Sequence, residues 1–172
     1  MYLDLPIEQL VRRKDTRFQY GFATEAKKLV PARGEFLLSA SNNGLHVLAK
    51  NEDDLATPVE LLHDVYGSKL EVHPPRVRFI GGVQVQEPIM QVRISLLLDY
   101  ADVVRQALQA RGAAPTGEHS LSRYCVLRYE APLADLLGLP GELARLTEGS
   151  AKHWIVLSHY ALVTRDPGGR AA

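Results

Sequence analysis

The feature that most constrains this chain is a switch of hydrophobic period that occurs twice between residues 88 and 160. Val92, Ile94 and Leu96 alternate with Gln91, Arg93 and Ser95, the period of two expected of a half-buried strand. Tyr100, Val103, Val104, Ala107 and Leu108 then recur at i, i+3, i+4, i+7 and i+8, which puts them on one face of a helix. Arg111-Gly112 supplies the stop. Residues 113–120 read as a polar turn bearing Gly and Pro, with room for a short strand beside it. Cys125, Leu127 and Tyr129 form one face of the next strand, Tyr124 and Val126 the other. Leu133, Leu136 and Leu137 open a second helix, which Pro140-Gly141 is expected to break or kink before Leu143 and Leu146. A last strand runs from Trp154 toward Tyr160. The order strand–helix–strand–strand–helix–strand predicts an α+β, ferredoxin-like βαββαβ domain over residues 84–163, an antiparallel sheet with its helices on one face. That fold serves binding modules, regulators and enzymes alike, so it assigns no function.

Upstream, the signals give a second, partial unit. Phe36–Ala40 and Leu45–Ala49 flank Ser41-Asn42-Asn43-Gly44, where Asn-Gly supplies the positive φ of a tight hairpin. Thr57-Pro58-Val59-Glu60 has the form of a capping box, with Pro58 at the first helical position. Val59, Leu62 and Tyr66 make an apolar helix face that Gly67 ends. Leu70–His73 resumes an alternation which Val77 and Phe79 continue. Residues 35–80 therefore predict a ββαβ part of a ferredoxin-like domain, joined at Gly81-Gly82 to the one that follows, so the expected architecture is tandem. Residues 1–34 are expected to be a poorly defined segment. Within it, Leu5, Leu10 and Val11 suggest a short helix begun at Pro6, and Phe18-Gln19-Tyr20-Gly21-Phe22 alternates like a strand. The tail 164–172 is expected to be disordered.

Composition narrows the function classes. The chain of 172 residues carries 20 Lys and Arg against 20 Asp and Glu, so no net field draws it to nucleic acid or membrane. The distribution is uneven: residues 1–33 hold seven basic and four acidic side chains, 34–85 four and seven, and 86–163 seven and eight. The single cysteine, Cys125, excludes an internal disulfide and a cysteine-based zinc site, and its place in a strand pattern reads as a buried small hydrophobe. No segment has the length of a membrane span and no signal sequence is read at the start, so a cytoplasmic protein without a membrane partner is expected. Of the six histidines (His46, His63, His73, His119, His153 and His159), only His153 and His159 fall at a zinc-like spacing, His-x5-His on one strand; with no cysteine pair beside them they read as packed, hydrogen-bonded histidines, and no Gly-x-Ser-x-Gly motif occurs. Asp99 and Asp102 at the start of a helix read as capping carboxylates. No catalytic residue, metal ligand or cofactor is assigned, and the chain is expected not to be an enzyme.

Three stretches of the second half carry a family resemblance. They are Glu87-Pro88-Ile89-Met90-Gln91-Val92, then Tyr100-Ala101-Asp102-Val103-Val104 through Arg111-Gly112, then Ala131–Gly138 with Leu143–Gly149 and Ser158-His159-Tyr160. In this order they resemble the C-terminal domain of the elongation factor G family of translational GTPases. More weakly, Gly44-Leu45-His46-Val47, the helix ending Val65-Tyr66-Gly67, and Leu70-Glu71-Val72 into Pro74-Pro75-Arg76-Val77 resemble the second half of that family's preceding ferredoxin-like domain. A direct junction between the two is similar to the LepA type. The chain departs from the family at Leu143-Ala144-Arg145-Leu146-Thr147-Glu148-Gly149, where Leu-Arg-Ser-Leu-Thr-Gln-Gly is common: one arginine is lost and an amide becomes a carboxylate, a poorer phosphate partner. No Gly-x4-Gly-Lys-Ser/Thr loop is present, so no nucleotide is expected to bind this chain.

The resemblance implies a non-catalytic translation-factor-like module whose partner is the ribosome or ribosomal RNA. The candidate contacts are Arg105, Arg111, Arg123, Arg145 and Lys152, with the basic run Arg12, Arg13 and Lys14 as a second group. The balanced charge favours an alternative: a protein-interaction or ligand-sensing module that forms a homodimer through its sheet edges or faces.

Overall fold

The computed structural model describes residues 4–31 and 33–163; the tail expected to be disordered lies outside them. The chain divides into two units, residues 1–77 and 78–172.

The first unit reads β1 (Ile7–Arg13), α1 (Gln19–Leu29), β2 (Phe36–Ser41), β3 (Gly44–Ala49), α2 (Asp53–Tyr66), β4 (Leu70–Val72) and the short β5 (Arg76–Val77). Its strands order β2-β3-β1-β4, with β5 also pairing β1, and every pairing is antiparallel. The ferredoxin-like unit is therefore complete, and residues 1–34 supply its central strand and first helix. Both assignments expected for that segment are reversed. Ile7 and Val11 are buried on one face of β1, where an extended chain puts every second side chain. Gln19, Phe22, Ala23 and Ala26 are the buried residues of α1, a helical spacing of i, i+3, i+4 and i+7. The Gln19 side chain explains the false strand pattern. Its amide donates to the Arg13 carbonyl (2.8 Å) and the Thr16 carbonyl (2.7 Å) and accepts the Arg13 N–H (3.0 Å), so a polar residue begins the inward face.

The hairpin β2–β3 turns where Asn42-Asn43 places it, but positive φ falls on Gly44 and not on Asn43. At φ +138 a Cβ on Gly44 would lie 2.5 Å from the Val11 carbonyl oxygen, so only glycine fits. Helix α2 starts four residues before the expected capping box. The Asn51 Oδ1 accepts the Asp54 N–H at 3.1 Å, which satisfies one of the free first-turn donors. Pro58 thus lies inside the helix, buried, early enough that one bond is lost without breaking it.

The second unit reads β6 (Gln86–Leu97), α3 (Ala101–Ala110), β7 (Ala114–Leu121), β8 (Tyr124–Pro132), α4 (Leu133–Leu136), α5 (Leu139–Leu146) and β9 (Lys152–Leu162). The strands order β7-β8-β6-β9, again all antiparallel. Residues 114–121 make a full edge strand in place of the expected polar turn. Every one of its residues is exposed, so no apolar alternation marks it. The second helix breaks one step earlier than Pro140-Gly141: Gly138 at φ +79 ends α4, and Pro140 sits in the first turn of α5, where its missing N–H costs nothing. Met90, Val92, Ile94, Leu96, Cys125 and Leu127 point to the helix side of the sheet. They meet Val104, Leu108, Leu136, Leu139 and Leu143, and all are at most 2% exposed. Each such aliphatic side chain contributes on the order of 1.5–3 kcal/mol by burial. The opposite face of the sheet carries the alternate residues, and it is there that the unit presents its chemistry.

Candidate nucleic-acid interface

Arg93 on β6 pairs across the sheet with Arg128 on β8 and with Trp154 on β9. The three side chains form one row on the open face, and each is exposed. The Arg93 guanidinium carbon lies 5.2 Å from the centre of the Trp154 ring, a cation–π contact that fixes the indole. In neighbouring rows Ser95 pairs with Lys152, and Gln91 pairs with Val156 and Glu130. A shallow groove of about 410 Å³ runs between Gln91, Arg93, Thr116, Arg128, Trp154 and Val156. Thr116 enters it because the β7–β8 register shifts between Pro115 and Gly117, and such an irregularity re-aims a side chain. Among the described residues neither Arg93 nor Arg128 is in an ion pair.

The expected contact residues separate. Lys152 lies on the same face as Trp154, two residues away on β9, and is exposed. Arg123 occupies the β7–β8 turn, where its carbonyl accepts the Leu98 N–H at 2.8 Å, beside the exposed Tyr124. Arg145 is exposed near the end of α5, on the helix side. Arg105 is already engaged: it pairs with Asp102 (2.5 Å) and with both carboxylate oxygens of Glu118. That guanidinium holds the Glu118 carboxyl below the usual range. Asp102 therefore serves Arg105, and α3 begins without a side-chain cap. Arg111 is the most committed. It donates to Glu142 through Nε (2.8 Å), forms an ion pair with the same carboxylate (2.7 Å), and donates to the carbonyls of Asp135 (2.8 Å) and Leu137 (3.0 Å), tying α3 to the α4–α5 junction.

In the N-terminal run, Arg13 pairs with Asp15 at 2.5 Å and lies 5.7 Å from the centre of the Tyr66 ring. Lys14 donates to the Ser68 carbonyl at 3.0 Å. Arg12 keeps a buried Nε for which no hydrogen-bond partner occurs among the described residues. Arg13 and Lys14 are thus engaged within the first unit.

Sequence reasoning missed Arg93, Arg128 and Trp154, since only strand register shows them to be neighbours. It also missed a line of polar groups in the first unit. Ser41 Oγ lies 2.8 Å from His46 Nε2, and Glu8 contacts His46 Nδ1. Serine, imidazole and carboxylate in line are the groups of an activated nucleophile. Here Ser41 Oγ also accepts the Asn43 N–H (3.1 Å) and lies 3.3 Å from the Gly44 carbonyl, so it is committed to the hairpin turn. The line locks the turn to β1. Cys125 is buried, and burial pushes its thiol up, away from the reactive thiolate. Among the described residues no group of three or more His, Cys, Asp or Glu is placed to hold a metal, and no helix is long and apolar enough to cross a membrane.

Comparison with known proteins agrees with the second unit's architecture. The family model "Elongation factor G C-terminus" matches residues 84–170, half of the chain. Elongation factor G 2 of Hahella chejuensis is 34% identical over 76 residues, which are 44% of this chain and 11% of that protein. The mitochondrial elongation factor G of Drosophila pseudoobscura pseudoobscura is 30% identical over 81 residues, 47% of this chain and again 11% of the relative. The chain thus spans about a tenth of the length of these relatives. The crystal structure of ttk003000868 from Thermus thermophilus is similar over 92% of this chain and 41% of its own, with a TM-score of 0.66 at 16% identity, which speaks for the fold alone. On the match over residues 84–170, which takes in every strand of the second sheet, the chain belongs to the elongation factor G C-terminus family.

Proposed function

We propose that this chain is a non-catalytic, cytoplasmic translation-factor module that binds the ribosome through ribosomal RNA. The observation that carries the reading is the row Arg128–Arg93–Trp154 on the open face of the unit that matches the family. RNA offers phosphates and bases, and this row offers two cations without ion-pair partners among the described residues, beside an exposed aromatic. Lys152 extends the same face, whereas Arg105 and Arg111 are held by carboxylates and carbonyls of their own unit. Chemistry has no comparable support: the line through Ser41 is committed to a turn and the thiol is buried. Co-sedimentation of the chain with ribosomal subunits tests the proposal. We expect binding at low salt that weakens at high salt; no binding at low salt overturns it.

A second reading, an interaction module that pairs with its own copy, is favoured by one feature. β7 is an eight-residue edge strand with every side chain exposed, and such an edge is a template for strand addition. A sedimentation-velocity series over protein concentration decides it: a concentration-dependent dimer that ignores RNA supports this reading.

A further inference from the structure

We infer that the groove on the open face of the second sheet is built for a single-stranded segment, with one unpaired base stacked on Trp154 and the adjoining phosphates met by Arg93, Arg128 and Lys152. This rests on the reading of RNA as the partner and names the part of RNA that is recognised.

The geometry selects among the possible occupants. An indole is a flat surface on which bases stack; the Arg93 guanidinium lies over one face of the Trp154 ring at 5.2 Å, and the ring is still 48% exposed, which leaves surface for a base. A duplex hides the faces of its bases inside the stack, so an aromatic standing out of a sheet finds nothing there to stack on. An unpaired base exposes both faces. An apolar protein partner fits poorly for a different reason. It would cover Arg93 and Arg128, which have no ion pairs among the described residues, and burying an uncompensated charge is costly. Phosphates compensate them. The spacing also suits a polymer better than a lone nucleotide. Cations occupy three strands (Arg128 on β8, Arg93 on β6, Lys152 on β9), and adjacent strands lie about 4.8 Å apart, so the charges spread over a distance comparable to successive phosphates. Gln91, in the row beside Arg93, adds an amide able to donate to and accept from a base edge. Glu130, paired with Gln91, is the one carboxylate in these rows, and it bounds the phosphate track on that side. Four-stranded antiparallel sheets with aromatic side chains on the open face are a general platform for unpaired RNA bases.

Trp154 is the only tryptophan of the chain, so its fluorescence reports this site alone. The full chain would be titrated at low salt with an eight-nucleotide single-stranded RNA, the same sequence as a duplex, and a nucleoside monophosphate. We expect saturable quenching by the single strand and at least tenfold weaker binding of the other two. Followed by anisotropy of a labelled oligonucleotide, Trp154→Ala should weaken binding about five- to a hundredfold, the range that one stacked base contributes. Trp154→Phe should retain most of the affinity, and Arg93→Gln with Arg128→Gln should weaken binding at low salt more than at high salt. All these side chains are exposed, and circular dichroism checks that the variants stay folded. Equal quenching by duplex and single strand overturns the inference, as does Trp154→Ala binding like the parent. Equal affinity for the monophosphate overturns it in favour of a nucleotide site. Co-sedimentation separates it from the broader reading. If the parent and Trp154→Ala bind ribosomal subunits equally, this site falls and ribosome binding stands. If the oligonucleotide quenches but no subunit binds, the base site stands and ribosome binding falls.

Discussion

At the scale of the residue, the chain's cations do two kinds of work, and their partners tell which. Arg111 has 22% of its side chain exposed and makes three hydrogen bonds to three acceptor groups, one of them also its ion-pair partner, which a flexible surface charge does not. Arg111→Ala leaves the Glu142 carboxylate and two carbonyls without their donor, so we expect a loss of about 2–3 kcal/mol in urea unfolding. Arg111→Lys should recover less than half of it, because an ammonium lacks the planar fork that reaches separate acceptors. The stretch that departs from the family motif yields a prediction of the opposite sign. After α5 the Gly149 N–H bonds the Ala144 carbonyl at 2.8 Å, the closing bond of a Schellman cap, and Glu148 occupies the left-handed position at φ +51. Glycine adopts that conformation freely, whereas a side chain with a Cβ is disfavoured there. Glu148→Gly is therefore expected to raise the unfolding free energy measured in urea by up to about 1 kcal/mol, with secondary structure unchanged. The neighbouring Thr147 tolerates no such change. It is fully buried, with its hydroxyl donating to Leu143 and accepting from Ala151.

At the scale of the element, β7 is the weakest part of the second sheet, with no buried side chain and a register shift at Pro115. What holds it to the helix layer is the clasp between Arg105 and Glu118. The Glu118 carboxyl is depressed by Arg105, so its stabilising contribution is complete above the ordinary glutamate value of 4.5 and is lost as pH falls through the depressed value. Glu118→Gln removes that titration. Its β7 amides should already have low protection factors at pH 6, corrected for the intrinsic pH dependence of exchange, and change little on acidification, whereas in the parent protection should fall below about pH 4.5; a parent profile as flat as the variant's would show that the clasp does not hold the strand. The same strand shows why parts of the fold were illegible. β6 and β8 bury alternate side chains, so Ile94, Leu96, Cys125 and Leu127 gave their period away in the sequence. β7 buries none, and nothing in its composition separates it from a turn. α1 was hidden by the reverse effect: the buried Gln19 starts its inward face, while Phe18 and Tyr20 are exposed, so apolar residues mark the wrong side. The candidate site was legible only at Lys152. Arg93, Arg128 and Trp154 are far apart in sequence, and their meeting depends on a strand order that periodicity does not encode.

At the scale of the whole molecule, balanced composition and local charge make different demands on how binding should respond to salt. A chain with 20 basic and 20 acidic side chains offers RNA no long-range pull, so affinity has to come from the few cations that touch phosphate. Each phosphate neutralised on a single strand contributes about −0.7 to the slope of log K against log salt concentration. With Arg93, Arg128 and Lys152 as the cations of the open face, the slope is expected to lie near about −2. Lys152→Gln should make it shallower by about 0.7 without affecting tryptophan quenching at saturation, because it removes a charge and leaves the stacking surface whole. A slope of about −4 or steeper in the same titration would require cations beyond this face. The run Arg12, Arg13 and Lys14 would then be the group to neutralise next, since the first unit holds another basic cluster of the chain. A slope near zero with the quenching retained would instead assign the affinity to stacking and take the arginines out of the phosphate track. The magnitude of the slope therefore counts the contacts, and the variant shows which side chain makes one of them.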